Sequence, residues 1–173
     1  MSTVKINSIG LFIDGGYYAL IDEGLGRENR RLNLKNLIKF IQNSIAERFN
    51  LSPDSCIVTE SHFFRGRYRT FDAKQKKKLE SDRKFEDRLI ENDVVFHYKH
   101  VYDLSNGTTK EKGIDVWFAL ETYELSMYRD YDFVVLITGD ADHEMLARKI
   151  SRLKNRLSFS RGISTKQTPP LRR

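Results

Sequence analysis

At 173 residues with a single cysteine, Cys56, the chain has room for one sizeable core but none for an intramolecular disulfide or a cysteine-based zinc site. An apolar fraction of 39% with 12% aromatics argues against a disordered chain, and no apolar run approaches the roughly 18 residues of a membrane span. The net charge of +6 is unevenly placed: between His143 and Arg173, nine lysines and arginines stand against the single acid Glu144, a balance that suits polyanions such as RNA or DNA but also a merely solubilising tail.

The opening MSTVKINSIG lacks the long apolar stretch of a signal peptide, so the expectation is an intracellular, cytoplasmic protein without membrane association. "SIGLFID", residues 8–14, is nearly continuous in apolar residues, the pattern of a strand buried on both faces of a parallel sheet. Gly15 and Gly16 read as its end. Asn33 is placed to cap a helix through about Phe49, with Leu34, Leu37, Ile38, Ile41 and Ile45 on one face. After Pro53, "CIVTESHFF", residues 56–64, predicts a second strand, with Cys56 as a packed thiol.

Residues 65–71 read as a basic loop containing Tyr68 and Phe71. The stretch that follows reads as one long charged helix with a thin apolar stripe at Leu79, Phe85 and Leu89, and Lys76, Lys77 and Lys78 suit its solvated surface. "VVFHY", 94–98, predicts a third strand, and 103–113 a polar loop with Asn106-Gly107 turn chemistry. A helix from about Gly113 follows, with Val116, Trp117, Leu120, Tyr123 and Met127 as its apolar face. "DFVVLIT", 132–138, predicts the strongest strand. A helix over 141–154 has Met145, Leu146 and Ile150 toward the core. Strands alternating with helices imply a three-layer α/β/α sandwich around a mainly parallel sheet of four to five strands. Residues 1–155 are expected to form its single domain. The segment 156–173 reads as a frayed edge strand or a disordered basic end, and an open sheet edge there would suit pairing with a second copy in a homodimer.

Two predicted strands end in carboxylates, Asp14 and Asp140. In open α/β sheets, sites form beyond the carboxyl ends of strands where strand order reverses. Asp142 lies two residues past Asp140, and Asp115 opens the helix after "EKG". Capping a helix explains Asp140 alone, but not Asp14 and Asp142 with it. Four acids on one rim raise each other's pKa unless a cation compensates. A carboxylate-only set favours a hard ion, Mg²⁺ or Mn²⁺, of the kind used in phosphoryl chemistry. A haloacid-dehalogenase-like phosphatase would need a second acid two residues after Asp14, where this chain has Gly16.

"GLFIDGGYYAL", "EKGIDVWFALETY" and "DFVVLITGDADHEMLARKI" together resemble the NYN domain family, a branch of the PIN-like ribonuclease superfamily. The resemblance implies a PIN-like sandwich and metal-dependent RNA hydrolysis. By position it gives Asp14, Asp115, Asp140 and Asp142 as metal-binding and catalytic residues. It also puts Thr138 before the acidic pair, with its hydroxyl near a metal-bound water, and Lys112 in reach of a phosphate. Beside the resemblance, Arg65, Arg67 and Tyr17 are candidates for contact with RNA, as phosphate ligands and as a base-stacking ring; a solvated loop and core packing are the competing readings. His143 stands where the family commonly has an apolar residue, and His62, His97 and His100 read as strand or loop residues. The alternative function is a non-catalytic RNA-binding or protein-interaction module on the same fold.

Overall fold

A computed structural model of the chain describes residues 5–26, 32–103, 109–110 and 112–153. Strand β1, Asn7–Asp14, is almost wholly buried, as its continuous apolar run requires. It passes without a loop into helix α1, Gly15–Gly26. The two glycines therefore do not stop the chain. A Cβ at Gly15 would stand 2.6 Å from the carbonyl oxygen of Phe64 and 2.7 Å from the Phe63 ring. Glycine is needed there because the turn lies against the next strand, and that requirement mimics a terminator in the sequence.

Helix α2, Leu34–Phe49, starts as expected: the Asn33 side chain accepts the N–H of Asn36, and Leu34, Leu37, Ile41 and Ile45 are buried. After a short 3₁₀ turn at Pro53–Ser55 comes β2, Cys56–Arg67. It is longer than the 56–64 expected, so Arg65 and Arg67 belong to a strand and not to a basic loop. The charged stretch is two helices, α3 at Thr70–Gln75 and α4 at Leu79–Ile90. Lys77, with φ of 55°, breaks the helical path between them. Strand β3 is Val94–His100. Tyr102–Asp103 (β4) and Thr109–Lys110 (β5) pair as a short antiparallel ribbon; the expected Asn106-Gly107 turn lies outside the described residues. Helix α5, Ile114–Tyr128, strand β6, Phe133–Ile137, a 3₁₀ turn at Ala141–His143 and helix α6, Glu144–Leu153, complete the described chain. The last helix thus starts three residues later than expected, and the segment 156–173 lies outside the described residues.

Among the described residues the main sheet has four strands in the order β3-β2-β1-β6, all parallel. One face carries Ile9, Leu11, Ile13, Phe63, Val135 and Ile137 against the apolar sides of α1, α2 and α4. On the other face, Phe12, Phe64, Val134 and Leu136 meet Ile114 and Phe118 of α5 and Leu146 and Ile150 of α6. Each fully buried large apolar side chain in these two layers contributes roughly 1.5–3 kcal/mol. Cys56 is buried, as expected of a packed thiol.

Two expected core assignments are reversed. Met145 is exposed, while Leu146, Ala147 and Ile150 face inward. On α5 the buried positions are Ile114, Phe118, Thr122 and Ser126, and the expected core residues Val116, Leu120 and Met127 point to solvent. The chain leaves β1 toward β2 and β3 on one side, then crosses back to β6 on the other. Strand order therefore reverses between β1 and β6, and the carboxyl ends of these two strands frame the crevice where such sheets place their sites.

Candidate active site

Asp14 ends β1 and closes the first turn of α1. Its Oδ1 accepts the N–H groups of Gly16 at 2.8 Å and Tyr17 at 3.3 Å. One carboxylate oxygen is thereby held in place by backbone donors. The other, Oδ2, lies 3.3 Å from the hydroxyl of Thr138, just past the end of the neighbouring β6.

Thr138 is buried and joins the two strand ends. Its Oγ1 accepts the N–H of Asp140 at 3.2 Å and lies 2.8 Å from His143 Nδ1. A hydroxyl has one proton to give. If Thr138 donates to Asp14, the Nδ1–H of His143 donates to Thr138, and the three form a directed chain. His143 is itself buried, with its ring 4.6 Å from that of Phe118. It is a positioning residue beneath the rim, a role with no signature in the sequence.

Asp140 caps the following 3₁₀ turn, accepting the N–H of Asp142 at 2.9 Å, in line with the capping reading. Asp140 and Asp142 are both exposed. Gly139 lets the turn pass close to Tyr17, whose ring a Cβ at this position would overlap. Tyr17 thus packs against the turn that carries the two acids.

Asp115 stands in the first turn of α5, behind Gly113, whose φ of 77° favours glycine. Partial desolvation of its carboxyl holds Asp115 above the usual carboxylate range. The charge of Asp14 adds to the effect, as do Asp140 and Asp142, while His143 pulls the other way. Asp115 therefore feels all three of the other acids, and the four predicted carboxylates share one rim.

Basic residues flank this rim. Asp14 is in register with Phe64, so Arg65 and Arg67 lie just beyond it on β2. The Arg65 guanidinium lies over Phe85 at 5.6 Å; Arg67 pairs with Glu86 at 3.0 Å and lies over Tyr98 at 5.2 Å. Lys112 is exposed at the approach to α5. Lys99, absent from the sequence-based candidates, has its ammonium 6.0 Å from the Trp117 ring and 3.3 Å from where a Cβ on Gly113 would stand. Its signal is only a lysine at the end of a short strand, visible as a rim cation once β3 and α5 are brought together.

The donor set of four carboxylates and a hydroxyl suits a hard divalent cation. Among the described residues, no three acidic, histidine or cysteine side chains are already converged around an ion position. The acids are gathered on one rim without forming a finished cage.

A sequence model of the NYN domain matches residues 8–170. A search of curated proteins finds no significant match. Among solved structures, the crystal structure of a protein of unknown function from Vibrio parahaemolyticus is similar at a TM-score of 0.54 and 18% identity, over 92% of this chain and 83% of that one. At that identity the likeness concerns the fold alone.

Proposed function

The chain belongs to the NYN domain family, of PIN-like nuclease fold, and from that premise we propose that it is a metal-dependent endoribonuclease acting at Asp14, Asp115, Asp140 and Asp142. The observation that carries this reading is the shared electrostatic field of the four acids: Asp115 is pushed up by Asp14, Asp140 and Asp142 together. Folded proteins rarely gather uncompensated acids without a cation to offset them.

Asp14 and Asp140 would hold Mg²⁺ or Mn²⁺, with Asp115 and Asp142 as further oxygen ligands or as ligands to bound water. When bound, such an ion acidifies water and offsets charge on a phosphodiester. The chain's own part is orientation. Backbone N–H groups fix Asp14 through Oδ1, and the Thr138–His143 pair supports its Oδ2 from below. The exposed Asp142 is available to accept a proton from the attacking water. Lys112 and Lys99 are suited to the phosphate, and Arg65 and Arg67 to the flanking RNA backbone. Tyr17, packed on Gly139, serves the turn more than it serves a base.

Calorimetric titration with Mn²⁺ tests the proposal. The wild-type chain should bind the ion, and Asp140→Asn should weaken binding at least about tenfold, the scale of one lost charged ligand. No binding by the wild type would instead favour a non-catalytic RNA-binding module, the reading to which the unfinished cage lends weight.

A further inference from the structure

Helix α5 has its polarity inverted. Its buried side includes Thr122 and Ser126, both fully inaccessible, while Val116, Leu120 and Met127 are 62%, 63% and 49% exposed. With the half-buried Tyr123 they follow the spacing i, i+4, i+7, i+11, which keeps one straight stripe along about 16 Å of helix. This is the alternating four-three repeat by which one helix seats against another. Tyr128, 77% exposed, extends the apolar surface at the helix end.

We propose that this stripe is a dimer interface, occupied by α5 of a second copy of the chain. A two-fold axis between Leu120 and Tyr123, with the helices antiparallel, sets Val116 against Met127 and Leu120 against Tyr123. Each pair joins a shorter side chain to a longer one, so the stripe is complementary to itself. The exposed apolar area is on the order of 400 Å² per copy; doubled, and with the flanking rim, it reaches the roughly 1,000 Å² at which specific interfaces begin. No lysine or arginine interrupts residues 114–128. The interface is independent of the ribonuclease reading.

Sedimentation velocity of the full chain at about 50 µM tests it, in a range suited to micromolar association. Wild-type protein should run as a dimer, and Leu120→Glu should raise the dissociation constant at least about 100-fold, as expected for a charge buried at the centre of an interface. Phe40→Glu, on the exposed side of α2, should leave the dimer intact, and circular dichroism should show all three proteins folded. A monomeric wild type, or a dimer that survives Leu120→Glu, overturns the proposal.

Discussion

Asp115 carries a charge that its neighbours oppose. Burial of part of its carboxyl, then Asp14, Asp140 and Asp142, raise its pKa above the unfolded value. An acid raised on folding favours the folded state less once pH rises through its unfolded and folded values. Asp115→Asn should therefore raise the melting temperature at neutral pH in chelator, while Mn²⁺ should stabilise the wild type more than the variant. Thermal denaturation with and without the ion reads both effects. Asp14, Asp115 and the Asp140–Asp142 pair are all legible in the sequence, because each follows or opens a recognisable element. The support from His143 is not, since its contacts with Thr138 and Phe118 depend on how α5 and the turn after β6 meet.

Beneath α5, strands β2 and β3 bring His62 and His97 together, with Nδ1 of one 3.0 Å from Nε2 of the other. Burial holds both imidazoles below the usual histidine value. For His62, Glu60 and Glu121 pull upward while His97 and Arg129 push down; for His97, Glu121 pulls upward. In the unfolded chain both titrate near roughly 6.5. Below that pH the unfolded state binds more protons, so stability is full above about 6.5 and falls as the pH drops toward the folded values. Stability measured from about pH 7.5 to 5 should decline, and the double variant His62→Gln/His97→Gln should flatten the decline. At this scale the sequence is a partial guide. Continuous apolar runs mark β1 and β6, because strands buried on both faces need no alternation. Helix α1 is hidden, because Gly15 serves close packing against β2 yet looks like a stop. The face of α5 is inverted, because periodicity reports an apolar stripe without saying what covers it.

For the whole molecule, the order β3-β2-β1-β6 does what no single motif can: it sets Asp14 and Asp140 on either side of the strand-order reversal. Alternating strands and helices make the sandwich legible, whereas the neighbours of β1 follow only from the completed sheet. Cleavage of an end-labelled single-stranded RNA by purified protein, in Mn²⁺ and in chelator, tests the central claim most directly. The wild type should cut internally only with the ion, and folded Asp14→Asn should be at least about 100-fold slower, the cost of losing one electrostatic group at a reacting centre. Cleavage that persists in chelator, or that Asp14→Asn leaves unchanged, would contradict the account.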